Sequence, residues 1–72
     1  MNIYEKLKAL REDADKSQEE IAKIIGTSQS YYAQYENGKR AIPLDRLITL
    51  AKYYNISLDY IAGLIDTPRT LK

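Results

Sequence analysis

The sequence predicts an all-α fold, a compact bundle of five helices. Apolar residues recur at spacings of three and four along most of the chain, which is the period of an amphipathic helix. No segment alternates apolar and polar residues over the length of a strand, and only three glycines and two prolines interrupt the 72 residues. We therefore expect one small domain over residues 1–65, followed by a polar C-terminal tail over residues 66–72.

The first helix is expected to run from Ile3 to about Asp13. Its apolar residues Ile3, Leu7 and Leu10 are separated by four and then three positions, so they share one face. Asn2 precedes them and can cap the N-terminus. The polar segment DADK that follows is expected to fray.

Two short helices are expected next, separated by a turn at Gly26. The segment SQEE has the form of a capping box, in which the Ser17 hydroxyl accepts from the Glu20 amide and the Glu20 side chain returns to Ser17. Gly26 can adopt the left-handed conformation that ends such a helix. Ser28 can then cap a third helix from Gln29 to about residue 37, where an Asn-Gly pair ends it.

The fourth and fifth helices complete the predicted bundle. Pro43 fits the first turn of the fourth helix, where its missing N–H costs little, and Asn55 closes that helix. Ser57 can cap a short fifth helix that contains Leu58 and Ile61 and extends toward Leu64. The apolar stripe of the fourth helix consists of Leu44, Leu47, Leu50, Ala51 and Tyr54.

Composition narrows the classes of function. The chain has no cysteine and no histidine, which removes disulfides, a Cys/His zinc site, thiol chemistry and histidine acid–base catalysis. Its acidic residues lie on solvated faces and its glycines are isolated, so we expect no enzyme active site, no cofactor and no small-molecule ligand. The N-terminal segment has no apolar region typical of a signal peptide, and no run has the length of a membrane span. We expect a cytoplasmic protein.

Charge is unevenly distributed although the formal net charge is only +1. Six of the ten acidic residues lie within the first 20 residues. Between residues 21 and 44 the only acid is Glu36, against the three basic residues Lys23, Lys39 and Arg40. The middle of the chain is therefore locally positive, which is either a sign of a phosphate-binding surface or a chance fluctuation in a short chain.

The predicted third helix has two chemically different faces. At about 100° per residue, its three tyrosines share one arc, with Tyr32 and Tyr35 as candidate core residues and Tyr31 at the edge. A solvated helix face usually carries paired lysine and glutamate. The opposite face instead carries side-chain amides, which match the N6/N7 edge of adenine in the major groove. This composition favours a DNA-contacting face over a merely polar one. That opposite face consists of Gln29, Ser30, Ala33, Gln34 and Asn37.

Residues 3–64 resemble the phage repressor and Cro type of helix-turn-helix regulator. The matching segment is SQEEIAKIIGTSQSYYAQYENGKRAIPLDRLITLAKYYNISLDYIAG, residues 17–63. Its motifs are the Ser-Gln-x-x-Ile-Ala opening at residues 17–22, Gly26 of the turn, ENGKR at 36–40, Pro43, LxxLAK at 47–52 and ISLDYI at 56–61. The resemblance implies a lambda-repressor-like domain that binds double-stranded DNA sequence-specifically as a transcriptional regulator, a repressor rather than an activator, with the third helix in the major groove.

The resemblance also implies roles for individual residues. Gln18 would contact a base or a phosphate at the edge of the site, and Arg11 would pair with Glu36 to join the first helix to the third. Tyr31 is bulkier than the usual residue at its position, so it is either a further DNA contact or a shield for the core. The implied base contacts are Gln18, Gln29, Ser30 and Gln34. The implied phosphate contacts are Ser17, Ser28, Asn37, Lys39 and Arg40.

One copy with a charge of +1 has little electrostatic affinity for DNA, so we expect a homodimer on a pseudo-palindrome with half-sites about 10 base pairs apart, or a multiple of that. The expected dimer surface is the fifth helix and the tail, with Tyr60, Leu64 and Ile65. The alternative is a protein-interaction module of the same fold, an adaptor or an antitoxin. That alternative would expose leucine or phenylalanine on the third helix, where this chain has Gln, Ser and Ala.

Overall fold

The computed structural model describes residues 2–65, and this range contains five helices and no strand. The helices are α1 (Ile3–Asp13), α2 (Gln18–Ile25), α3 (Gln29–Glu36), α4 (Leu44–Tyr54) and α5 (Leu58–Ile61). The all-α, five-helix prediction is confirmed. The predicted polar tail lies outside the described residues. Within the described range, none of the helices combines the length and the apolar character that a bilayer span requires.

Four of the five helices begin with a side-chain cap, as the sequence predicted. The caps are Asn2, Ser17, Ser28 and Ser57. Ser17 forms a complete capping box, because its Oγ accepts from the Glu20 amide at 3.1 Å and its own amide donates to Glu20 Oε1 at 3.0 Å. The hydrogen bond from the Ser17 backbone holds the pKa of Glu20 below its ordinary value. A cap of this kind contributes about 1 kcal/mol to helix stability, which matters for helices of eight residues.

Left-handed residues end several of the helices. Gly26 has φ +77° after α2, and Asn55 has φ +57° after α4, both as predicted. The segment between α1 and α2 was expected to fray, and this expectation is wrong. Asp15 adopts a left-handed turn with φ +59°, and Arg11 Nη1 donates to the Lys16 carbonyl at 2.9 Å. The α1–α2 turn is therefore fixed by a side chain of α1.

Three predictions about α4 and α5 are also wrong. Pro43 is the extended N-cap residue of α4 (φ −62°, ψ 150°) and does not lie in the first turn. Leu44, predicted as a core residue, is 63% exposed because the first turn of α4, including Asp45, faces solvent. The α5 helix ends at Ile61 and does not reach Leu64, which is 75% exposed. The backbone between them turns at Gly63, whose φ of +84° no right-handed helix can include.

The core lies between all five helices and holds α3 by one face. The α2 helix packs against α3 and α4, α1 packs against α3 and α5, and α4 packs against α5. Tyr32 and Tyr35 are 0% and 2% exposed, so their predicted core positions are confirmed. Burying an aromatic or aliphatic side chain contributes about 1.5–3 kcal/mol, which anchors the tyrosine face of α3 and leaves the opposite face to solvent. The buried apolar residues are Leu7, Ile21, Ala22, Ile25, Tyr32, Tyr35, Leu47, Leu50, Ala51 and Ile61.

Candidate nucleic-acid interface

The α2–turn–α3 unit brings the predicted base-contacting residues to the surface of the domain. Gln29 and Ser30, in the first turn of α3, are exposed, and Gln34, one turn later, is half-buried. The turn that precedes them depends on the left-handed Gly26 and on the Ser28 cap, whose Oγ accepts from the Tyr31 amide at 3.2 Å. The three polar side chains therefore lie on a helix whose start is fixed by local hydrogen bonds.

A buried ion pair joins α1 to the end of α3. Arg11 donates to the Glu36 carboxylate through both Nε (2.8 Å) and Nη2 (3.1 Å), and the Glu36 side chain is only 1% exposed. The resemblance implied this pair, and the structure places the Glu36 carboxylate inside the domain. Arg11 therefore compensates the negative charge of Glu36 within the domain, so this charge would not repel a phosphate group at the surface.

Both members of this pair are charged at neutral pH. Burial by itself raises the pKa of Glu36, but the hydrogen bonds from Arg11 and Gln18 outweigh burial and bring the pKa below its ordinary value. The hydrogen bond to Glu36 raises the pKa of the Arg11 guanidinium, although partial burial opposes this. Glu36 is consequently an ionised carboxylate, which can only accept hydrogen bonds.

The ionised carboxylate fixes the orientation of two glutamine amides in sequence. Gln18 Nε2 donates to Glu36 Oε1 at 3.1 Å, and Gln29 Nε2 donates to Gln18 Oε1 at 3.2 Å. Because Glu36 can only accept, Gln18 has to turn its nitrogen toward it, and its oxygen then faces Gln29. Gln29 therefore directs its own side-chain nitrogen at that oxygen and donates a hydrogen bond to it. One buried charge thus determines which atoms of Gln29 remain free for other hydrogen bonds. We call this chain of contacts the carboxylate relay (Glu36, Gln18 and Gln29).

The carboxylate relay leaves Gln29 with one free acceptor and one free donor. Its Oε1 has no hydrogen bond within residues 2–65, and Nε2 uses one of its two N–H groups. An amide with both functions free can bond the N6 and N7 atoms of adenine at the same time. Gln18 is half-buried, and its nitrogen and its oxygen each already form a hydrogen bond. In this structure it therefore orients the Gln29 side chain.

A second cluster covers the C-terminal part of α3. Arg40 Nε donates to Gln34 Oε1 at 2.9 Å, and the Arg40 guanidinium lies over the Tyr31 ring, 4.8 Å from its centroid. Arg46 lies 5.8 Å from the same centroid and donates to the Tyr35 hydroxyl at 2.8 Å. Tyr31, which is 36% exposed, also contacts Tyr35 edge to face at 5.6 Å. We call Tyr31, Gln34 and Arg40 the arginine cluster.

The sequence did not single out Arg46, nor did it connect Arg40 with Tyr31. Arg46 bonds a tyrosine eleven positions earlier, across the α3–α4 connection, and helical periodicity carries no information about such a contact. Arg40 follows Tyr31 by nine residues, outside α3. The one available signal of the contact with Arg40 was Tyr31, an aromatic residue on a surface otherwise lacking large side chains. An exposed ring near basic residues suits a cation–π contact.

The remaining candidate phosphate contacts surround this surface. Ser17 and Ser28 use their Oγ atoms as cap acceptors, which leaves each hydroxyl proton available as a donor. Ser28 Oγ also lies 3.4 Å from Ser30 Oγ. Asn37 and Lys39 follow the end of α3 and are exposed. Of these side chains only Lys39 is charged, and it forms no ion pair within residues 2–65.

Two buried tyrosine hydroxyls form no hydrogen bond with any group of residues 2–65. They belong to Tyr32, which is next to Glu36, and to Tyr54. Burial is the main cause that raises the pKa of both phenols far above their ordinary value, and the neighbouring Glu36 charge adds to the effect for Tyr32. Both side chains therefore stay neutral, and their rings serve as core.

The α2 helix, the turn at Gly26 and the α3 helix form a helix-turn-helix. Comparison with known proteins shows the family to which the chain belongs. Residues 7–61 match the family described as Helix-turn-helix. The chain belongs to that family, and the resemblance to phage repressor-type regulators is confirmed. It is 41% identical over 64 residues to the HTH-type transcriptional regulator YobD of Bacillus subtilis, in an alignment that covers 89% of this chain and 57% of YobD.

Two further proteins extend this comparison. The transcriptional repressor RstR of cryptic phage CTXphi from Vibrio cholerae is 36% identical over 65 residues, covering 90% of this chain and 56% of RstR. The chain thus spans about half the length of these curated relatives. The structure of the P22 c2 repressor with a synthetic operator superposes with a TM-score of 0.79 at 24% identity, covering 88% of this chain and 96% of the repressor chain. That structural likeness shows the fold.

Proposed function

We propose that this domain binds double-stranded DNA sequence-specifically as a transcriptional regulator, a repressor, and has no catalytic role. The α3 helix would lie in the major groove while α2 crosses the sugar–phosphate backbone. The observation that carries the proposal is the amide-bearing face of α3, on which Gln29 is oriented by a buried carboxylate. Relatives named as transcriptional regulators and repressors support it, as does the likeness to a repressor that was solved on its operator.

In this proposal the polar residues around α3 divide into two groups. Gln29, Ser30 and Gln34 contact base edges, with Gln18 behind Gln29 at the edge of the site. Free donor and acceptor atoms on Gln29 suit adenine in the major groove. Contacts to the sugar–phosphate backbone fix position without selecting sequence. These backbone contacts come from Ser17, Ser28, Asn37, Lys39 and Arg40.

We further propose that two copies act together on DNA, in the cytoplasm. A net charge of +1 gives one copy little attraction to phosphates, and two linked copies double the contacts. Leu64 is 75% exposed and Ile65 is half-buried at the end of the described range, which leaves apolar surface for a partner copy. Tyr60 contributes less, because its ring lies 4.3 Å from Lys6 Nζ and is half-buried.

Selection of bound sequences from a random duplex pool tests the proposal. We expect an enriched consensus that contains adenine in each half-site and is symmetric about a centre, with half-sites about 10 base pairs apart or a multiple of that. Affinity for the selected duplex is expected to fall steeply with salt concentration, as phosphate contacts require. A pool without enrichment, or binding that does not respond to salt, would contradict the proposal and favour a protein-interaction module.

Two variants separate base contacts from phosphate contacts. Gln29→Ala is expected to weaken binding to the selected duplex by about 1–3 kcal/mol and to abolish the preference at one base pair. Lys39→Ala is the matched control, because it is expected to weaken binding to all sequences equally and to reduce the salt slope by about one. Equal losses on selected and scrambled duplexes for Gln29→Ala would contradict the assignment of Gln29 to a base.

A further inference from the structure

The arginine cluster directs one guanidinium N–H at the side-chain oxygen of Gln34. Arginine Nε is a donor and never an acceptor, so the Gln34 atom that faces it at 2.9 Å has to be the amide oxygen. The nitrogen of the same amide makes no hydrogen bond within the part of the chain that the structure describes. Gln34 therefore presents free N–H groups to an approaching partner, while Arg40 uses one of the two lone pairs of its oxygen.

Arg40 is held in this position by an aromatic ring. Its guanidinium lies 4.8 Å from the centroid of Tyr31, within the range of an attractive cation–π contact. Tyr31 is itself fixed by its edge-to-face contact with the buried Tyr35. The planar guanidinium is thereby kept against α3 with its Nη atoms free of hydrogen bonds in the described range. Arg40 and Gln34 form one surface on which free N–H donors outnumber the single remaining lone pair of the amide oxygen.

The four bases differ in what they offer such a surface. In the major groove guanine presents two acceptors, N7 and O6, whereas adenine pairs one acceptor with a donor, N6. Thymine offers one acceptor beside a methyl group, and cytosine offers a donor. A surface on which donors predominate thus matches guanine best and is less suited to the N6 donor of adenine. Gln29, whose oxygen stays free, has the opposite preference.

From this geometry we propose that Arg40 and Gln34 act together as a guanine-selective unit, with Tyr31 as the residue that positions Arg40. The inference rests on the proposed DNA-binding function and adds the base class at one position. It assigns Arg40 to specificity in addition to the phosphate contact proposed above. Two glutamines of one helix then select different purines because their neighbours differ.

Selection from a random duplex pool with three proteins tests this proposal. The Gln34→Ala variant identifies the base pair, because enrichment is lost at the position that Gln34 contacts. At that position we expect guanine for the wild type, favoured over adenine by about tenfold, which lies within the range of one base contact. In Arg40→Ala the Gln34 oxygen is released, so adenine is expected to be bound about as well as guanine.

A phosphate-only role for Arg40 gives a different result. Affinity of Arg40→Ala would then fall about equally for all sequences, with an unchanged consensus, and that outcome would overturn the proposal. Adenine at the Gln34 position of the wild-type consensus would overturn it as well. A wild-type pool without any enrichment would instead overturn the DNA-binding function, so the two failures are distinguishable.

Variants at Tyr31 provide the matched pair. Tyr31→Phe keeps the ring that Arg40 covers and is expected to retain the wild-type consensus. Tyr31→Leu removes the aromatic face and is expected to shift the preference toward adenine in the same direction as Arg40→Ala, by a smaller factor. Identical consensus sequences for Tyr31→Leu and the wild type, with both proteins folded by circular dichroism, would contradict a positioning role for Tyr31.

Discussion

Two glutamines of α3, five residues apart, are oriented in opposite ways. Gln29 is oriented from inside the domain by the carboxylate relay, which begins at the buried Glu36. Gln34 is oriented from outside by Arg40, which is exposed and lies over an aromatic ring. The comparison teaches that the hydrogen-bonding capacity of a surface amide depends on its neighbours, and that residue type alone does not determine which base it suits.

The two arrangements also differ in their physical environment. The Arg11 and Glu36 side chains are 14% and 1% exposed, so water and salt screen their attraction only weakly. Arg40 is exposed, and contacts of an exposed cation contribute little to folding. The relay therefore couples the proposed DNA-contacting surface to the stability of the domain, whereas the arginine cluster is expected to alter recognition with little effect on folding.

Replacement of Glu36 is expected to have the largest effect on stability. Glu36→Gln leaves the largely buried Arg11 guanidinium without a counter-charge, and loss of one partner from such a pair costs about 3 kcal/mol. The free energy of unfolding, measured by urea denaturation at neutral pH, should fall by that amount. Glu19→Gln is the control, because Glu19 forms only an exposed pair with Lys23 at 3.7 Å and its loss should change stability by less than about 0.5 kcal/mol. Equal stabilities of Glu36→Gln and the wild type would remove the distinction between the two regions.

Replacement of Arg40 is expected to have a much smaller effect on stability than replacement of Glu36. Arg40→Ala removes one exposed cation–π contact and one exposed hydrogen bond, which together contribute less than about 1 kcal/mol. The same urea denaturation provides the measurement. A loss comparable to that of Glu36→Gln would show that the arginine cluster is part of the structural framework, and its proposed role in specificity would then need revision.

Local signals in the sequence predicted the helices and their caps. Asn2, Ser17, Ser28 and Ser57 cap their helices because a cap needs only a side-chain oxygen near the next few amides. Helical periodicity likewise separated the buried Tyr32 from the exposed face of α3. The predictions that are wrong concern places where tertiary context decides, such as the exposed Leu44 in an otherwise apolar stripe.

The organisation of the candidate site was only partly predictable. The positions of Gln29 and Gln34 on one face follow from helical geometry, and they could be predicted. The difference between them depends on Gln18, from α2, and on Arg40, from the α3–α4 connection. Such contacts join residues six to eleven positions apart in different elements, and no periodic pattern encodes them.

The most direct test of the two-region account is the pH dependence of the side-chain amides of Gln18, Gln29 and Gln34, followed by 15N NMR while the domain stays folded. The pKa of Glu36 lies below its ordinary value, so the stability that its charge contributes is present above the pKa of the unfolded chain and is lost as pH falls through the lower, folded pKa. We expect the Gln18 and Gln29 amide resonances to shift together with one midpoint below the ordinary pKa of a glutamate, and the Gln34 resonance to stay unchanged. Invariant Gln18 and Gln29 resonances while Glu36 is protonated, or a joint shift of all three amides, would contradict the account.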